Sequence, residues 1–237
     1  MDLPGVGEAV TRVREAVSAV HRHPANRRGW PAIAAEAAVR AARASAALDG
    51  GSTTVPSGGS VRDPVLAGAL RVAQSLGGLL STWRRAPLQA LARLHVLAAA
   101  DLSAEPRLGR PDSRFELTAR LERLAQLVTE GSQVPAPVLV AVVHGELLAL
   151  APFAQGNGVV ARAAARLTVV SSGLDPKALV VPEVAHLHRE LEYRAAAAGF
   201  ASGGAEAVGR WIVHCCAALS AGAREAIAIA DATAGSS

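Results

Sequence analysis

Residues 151–162, Ala151-Pro152-Phe153-Ala154-Gln155-Gly156-Asn157-Gly158-Val159-Val160-Ala161-Arg162, interrupt two apolar runs of helical spacing, Val138 to Leu150 and Val159 to Val170. The spacing predicts two helices with Gly156-Asn157-Gly158 as a tight loop opening onto the N-terminus of the second. Glycine-freed backbone N–H groups and the positive end of a helix together form a concave anion site. The sequence therefore places a phosphate-binding geometry between its two most apolar helices. Asn-Gly is also a common tight-turn pair, and on that reading the loop does no more than connect them.

Composition extends the helical reading to the whole chain. Alanine, leucine, valine and arginine dominate its 237 residues, and aromatics make up 3%. Small residues favour closely packed helices over a β-sandwich, so the expected class is all-α. The net charge of +4 comes from scattered arginines, Lys177 being the only lysine. No arginine run is interleaved with aromatics as single-strand binders require, which argues against nucleic acid. The two cysteines, Cys215 and Cys216, are adjacent. Neighbours seldom form an unstrained disulfide, so a reduced, cytoplasmic protein is expected. Val134 to Phe153 imitates a membrane span, but Pro135, Pro137, His144, Glu146 and Pro152 interrupt it, and a buried core helix is expected instead.

Along the chain, helices are expected over Val6 to Val20, Pro31 to Leu48, Asp63 to Leu80, Pro87 to Ala99, Phe115 to Glu130, Pro182 to Ala198 and Ala205 to Ala230. Gly51 to Gly59 reads as a linker, which divides the chain into N-terminal helices, 1–60, and a core, 61–237. Asp231 to Ser237 reads as a frayed tail. His21-x-His23 reads as two loop histidines that point apart. Leu88, Leu91 and Leu94 form a stripe with His95 on the same side of the helix, read as a core or boundary histidine. Glu183-x-x-His186 matches half of a di-iron motif whose second copy the chain lacks, so no metal is expected there.

The loop stretch resembles the signature of the Fic (Fido) family of nucleotide transferases, His-Pro-Phe-x-Asp/Glu-Gly-Asn-Gly-Arg-x-x-Arg. Pro152, Phe153, Gly156, Asn157, Gly158 and Arg162 stand as in that signature. The catalytic histidine falls on Ala151, the metal-binding carboxylate on Gln155 and the first arginine on Val159. Ser45-Ala46-Ala47-Leu48-Asp49-Gly50 is similar to the family's inhibitory motif, Ser/Thr-x-x-x-Glu-Gly, with aspartate for glutamate. The resemblance then implies that Asp49 faces Arg162. Around Gly109-Arg110 it implies a remnant of a target-docking hairpin flap, while Pro106, Gly109 and Pro111 read equally well as a plain surface loop. Tyr193, Gly204 and Trp211 resemble the family's closing helices, so the likeness covers about residues 35 to 225.

What the resemblance implies for function is a Fic/Fido helical bundle whose ordinary AMP transfer is lost. Alanine accepts no proton, and losing a general base alone costs about 10²–10⁴ in rate. Glutamine is a poor magnesium ligand, and valine offsets no phosphate charge. His144 lies seven residues before Ala151, roughly 10 Å of helix rise, too far to replace the base. Gly156, Asn157, Gly158 and Arg162 are the candidate phosphate- or nucleotide-binding residues, and ATP or another nucleotide is the expected ligand, without an assured magnesium. Three readings follow: a pseudoenzyme that senses nucleotide or binds a protein, a divergent transferase drawing its base from His95 or Glu146, and a regulatory partner that offers Ser45 to Gly50 to another Fic chain.

Overall fold

A computed structural model describes residues 3–56, 58, 60–130 and 133–235. Among these residues there are eleven α-helices and no strand: α1 (Val6–Arg22), α2 (Ala25–Arg28), α3 (Trp30–Leu48), α4 (Pro64–Arg85), α5 (Pro87–Ala99), α6 (Phe115–Thr129), α7 (Ala136–Leu150), α8 (Asn157–Ser171), α9 (Pro182–His188), α10 (Glu190–Ser202) and α11 (Ala205–Ala234). Several begin where the chain supplies its own stop and start. Asp63 caps α4 by accepting from the Leu66 amide at 2.7 Å, and Pro64 follows at the first helical position, where its missing N–H costs nothing.

The helix pair α7–α8 lies between two apolar clusters. One joins α1, α3, α9, α10 and α11 through residues such as Val13, Ile33, Leu179, Trp211 and Ile229. The other joins α4, α5 and α6 through Leu66, Trp83, Leu94 and Leu121. On α8, Ala165 and Val169 face the first cluster, while Val160, Ala164 and Leu167 face the second. A helix apolar on all sides must be enclosed by others, and every residue from Val159 to Val169 is buried. The N-terminus of this enclosed helix is the one end that reaches the surface near α3.

Several boundaries differ from the expected ones. Helix α4 continues to Arg85, five residues beyond Leu80, and α11 continues through Asp231 to Ala234 rather than fraying. The single helix expected over Pro182 to Ala198 is two, broken at Arg189, whose φ of −122° and ψ of 43° are not helical. Thus His188 and Glu190 do not share one helix. Near Gly109-Arg110, where a flap remnant and a plain surface loop were both open, a 3₁₀ turn, Glu105–Arg107, and irregular chain form a loop. Its prolines at 106 and 111 suit a loop better than a paired strand.

Helix α11 is long and apolar enough, by length and composition, to span a membrane, but half of its apolar window is buried. It packs along α1, α7, α9 and α10, and Trp211 Nε1 donates to the Ala141 carbonyl at 2.7 Å. Such a helix serves here as a core element. The other apolar helix, α7, has 15 residues, about 22 Å at 1.5 Å per residue.

Candidate functional site: a helix N-terminus closed by Asp49

Helix α7 ends at Leu150, and Ala151 turns the chain with φ 41° and ψ 62°. This left-handed conformation is costly for alanine, about 1–2 kcal/mol. Phe153 then enters the core beside His95, the two rings stacking at 4.0 Å and 4°. Asn157 closes the turn on itself. Its side-chain oxygen accepts from the Phe153 amide at 2.9 Å, and its side-chain nitrogen donates to the Phe153 carbonyl at 2.7 Å. Gly156, at φ 71°, is the N-cap of α8 and takes the left-handed region that glycine tolerates best. Helix α8 therefore starts at Asn157, two residues earlier than the sequence suggests, and Gly158 lies in its first turn.

Asp49, at the C-terminus of α3, fills the space over that first turn. Its Oδ2 accepts from the Val159 amide at 3.1 Å, and its Oδ1 accepts from Arg162 Nη2 at 2.9 Å. A carboxylate at a helix N-terminus is satisfied by the backbone donors and dipole there. A Cβ at position 158 would stand 2.2 Å from Asp49 Oδ1 and 2.6 Å from Oδ2. Only glycine lets the carboxylate come so close. The last turn of α3 is closed by the Gly50 and Gly51 amides, which donate to Ala47 and Ala46.

Arg162 is held from three sides. Nε donates to Ser45 Oγ at 2.8 Å, Nη2 to the Ser45 carbonyl at 2.9 Å, and Nη1 to the Tyr193 hydroxyl at 3.3 Å. Its side chain is 3% exposed and that of Asp49 is 25% exposed. Burial works against the charge, but Tyr193 and Asp49 outweigh it and hold the guanidinium above its ordinary range. One turn on, Arg166 pairs with buried Glu183 at 3.2 Å and donates to the Val180 and Ala178 carbonyls. Arg194 Nη2 donates to the Leu48 carbonyl at 2.7 Å, fixing the end of α3 against α10.

The candidate substitute bases are buried or ion-paired. His95 is buried; its Nδ1 accepts from the Gly109 amide at 2.9 Å, and its Nε2 has no hydrogen-bond partner among the described residues. Burial also pushes its pKa down. Glu146 pairs with Arg120 at 2.7 Å. His144 is buried and bonded to the Tyr193 hydroxyl at 2.9 Å. Ala151 and Gln155 are exposed at the rim of the turn, while Val159 is buried in the core. Among the described residues, no group of three or more histidines, cysteines, aspartates or glutamates is placed to hold a metal ion. Gln155 offers a neutral amide where a carboxylate would suit magnesium, and Asp49 is already engaged, so these residues do not fit that ion.

Two other sequence features resolve into local pairs. His21 Nε2 lies 3.1 Å from Asp175 Oδ1, and His23 Nε2 lies 3.1 Å from Asp231 Oδ1, so the two histidines do point apart. They are partly buried and paired with separate acids, unlike exposed loop residues. Glu183 and His186 have separate partners: the first pairs with Arg166, and Nδ1 of the second lies 3.2 Å from His214 Nε2. Sequence reasoning missed the buried cluster of His144, His186, Tyr193, Trp211 and His214. The i,i+4 spacing of Arg162 and Arg166 on an apolar helix was the available signal, since two buried arginines demand polar partners from neighbouring helices.

No family model matches the sequence, and no curated protein matches it. Solved structures do. A Fic family protein from Desulfovibrio desulfuricans G20 matches with a TM-score of 0.78 and 19% identity, over 96% of this chain and 75% of that one. Fic-1 from C. elegans matches with a TM-score of 0.71 and 18% identity, over 98% of this chain and 74% of that one. A single-substitution variant of the same Fic-1 matches with a TM-score of 0.72 and 19% identity, over 94% and 72% of the two chains. The helix–loop–helix packed among α1, α3, α4, α5, α6, α10 and α11 thus has the fold of the Fic family proteins.

Proposed function

We propose that this chain is a Fic-fold pseudoenzyme, an anion- or nucleotide-binding and protein-interaction module without ordinary AMP transfer, whose site Asp49 keeps closed. The observation that carries the reading is the seat of the Asp49 carboxylate on the Val159 amide and the Arg162 guanidinium. A group that takes one carboxylate on a backbone donor and an arginine is chemically able to take a phosphate there instead. Ala151, Gln155 and Val159 support the loss of transfer, because none supplies a base, a metal ligand or a second positive charge. The buried or ion-paired states of His95 and Glu146 leave a divergent transferase without a base. Asp49 engages its own chain, so the reading as an inhibitor of another Fic chain gains no support from the geometry.

The test is calorimetric titration with ATP, with and without magnesium, on the wild type and on Asp49→Ala. The expected result is saturable binding by Asp49→Ala that is at least tenfold tighter than binding by the wild type, with little response to magnesium. Transfer of label from α-labelled ATP to protein by either form would overturn the pseudoenzyme reading. Failure of Asp49→Ala to bind ATP at millimolar concentration would overturn the anion site.

A further inference from the structure

Tyr193, on α10, stands where the anion site meets the buried histidines. Its hydroxyl oxygen lies 3.3 Å from Arg162 Nη1 and 2.9 Å from His144 Nε2. A guanidinium can only donate, so the oxygen accepts from Arg162. The hydroxyl can give its own proton to His144 Nε2 when the imidazole carries its proton on Nδ1, and that is the tautomer assigned to the pair here.

The surroundings of His144 hold it in that neutral form. Arg162 and Arg166 approach from α8, His186 and Glu183 from α9, Tyr193 from α10, and Trp211, His214 and Cys215 from α11. Glu183 is taken by Arg166 and Asp49 by Arg162, so neither carboxylate pairs with the imidazole. Burial, then the charges of Arg162 and His214, push the His144 pKa down to about 3. A protonated His144 would turn a second donor on the Tyr193 oxygen and place a positive charge beside Arg162.

We propose that Tyr193 and His144 are positioning residues for the anion site: the imidazole sets the direction of the Tyr193 hydroxyl, and its oxygen steadies the Nη1 arm of Arg162 so that Nη2 stays aimed at the seat Asp49 fills. This rests on the reading of that seat as an anion site. When Asp49 is displaced, Ser45 still holds Nε and Nη2, but Tyr193 is the hydrogen-bond partner of Nη1. The plane of the guanidinium then depends on both anchors.

The test uses ATP as probe and Asp49→Ala as the parent. Adding Tyr193→Phe is expected to weaken ATP binding about five- to tenfold, the loss of one hydrogen bond that supports a charged group. Adding His144→Gln, whose amide oxygen can still accept from the hydroxyl, is expected to keep affinity within about twofold, whereas His144→Leu should match Tyr193→Phe. A purely structural role would lower the melting temperature of all three without separating glutamine from leucine in affinity. Equal binding by Tyr193→Phe and the parent, or equal binding by the two His144 variants, overturns the proposal. Proton exchange at Arg162 Nε, followed by ¹⁵N resonance without nucleotide, is expected to quicken in Tyr193→Phe and His144→Leu but not in His144→Gln. If the parent binds no ATP, the anion-site reading fails by itself, and this exchange decides the positioning role. Should Tyr193→Phe not fold, the two His144 variants carry the same comparison.

Discussion

Arg162 Nη2 and Asp49 Oδ1 lie 2.9 Å apart, and the two partners are unequally buried, the arginine side chain at 3% exposure and the aspartate at 25%. The arginine belongs to the core and the aspartate to its edge. Removing Asp49 leaves a charge enclosed with only Ser45 and Tyr193 to satisfy it. Asp49→Ala is therefore expected to cost about 2–4 kcal/mol, near the lower end for a broken buried pair because the carboxylate is partly solvated. Urea unfolding measures this, and millimolar phosphate in the buffer should return part of the loss through binding to the folded state. A loss below about 0.5 kcal/mol would reduce the pair to a surface contact.

Gly158→Ala puts a methyl group where the Asp49 oxygens lie, 2.2 and 2.6 Å from an ideal Cβ. The single substitution should expel the carboxylate and destabilise the protein by about 1–3 kcal/mol. In the Asp49→Ala background the same change should be neutral or stabilising by up to about 1 kcal/mol, the usual gain of alanine over glycine within a helix. A double-mutant cycle reads the coupling directly. Additive costs would mean that the two residues do not touch in solution.

Stability should fall on both sides of neutral pH. Burial lowers the pKa of His144 to about 3, that of His186 well below its ordinary value, and that of His214. The unfolded chain takes up protons near pH 6.5 that the folded state refuses, so stability drops as pH falls through about 6.5, by up to about 1.4 kcal/mol per unit for each histidine. Burial also raises the pKa of Cys215 and Tyr193, and that of Cys216 to about 11. Those groups stabilise fully below their unfolded values and lose that contribution as pH rises above about 9 for the cysteines and about 10 for Tyr193. Denaturation midpoints from pH 4 to 10 test the dome; His144→Gln should flatten its acid arm, and an unchanged arm would exclude that histidine.

His95→Ala should loosen the chain between α5 and α6 without unfolding the bundle. The substitution removes the stack on Phe153 and the acceptor for the Gly109 amide, together worth about 2–3 kcal/mol. The neighbouring anchor, Asp112 N–H to the Pro152 carbonyl at 2.9 Å, borders the same turn. Amide exchange at Gly109 and Asp112 should accelerate while amides of α11 stay protected; uniform acceleration would mean that His95 supports the whole core instead.

The helical class, the enclosed helix pair and the turn between them were legible because apolar periodicity, glycine and proline report local geometry directly. The Asp49–Arg162 pairing was legible only through the likeness of two separate motifs, since nothing local links residues 113 positions apart. The break at Arg189 was not, because the composition on both sides suits a helix and the interruption is set by packing. Nor was the histidine cluster, whose members come from α7, α9 and α11 and meet only in three dimensions. His95 was expected in the core or at its boundary and lies in the core, yet its stack on Phe153 depends on how α5 meets the turn. Around Gly109-Arg110 the sequence left a flap remnant and a plain surface loop open, because a likeness of two residues says nothing about a strand partner; the chain there is a loop.

Asn157 shapes the turn with side-chain bonds to Phe153, so the mould of the loop is encoded apart from Ala151, Gln155 and Val159. On the proposed reading, installing catalytic groups at those three positions would meet unequal resistance. Ala151 and Gln155 sit in the open, where a histidine and a glutamate would keep their polar groups in water. Val159, at 4% exposure, has become part of the wall behind them, and an arginine there would have to bury its charge in an apolar cluster. On the proposed reading, the first two losses are reversible by single steps, and the third acts as a ratchet.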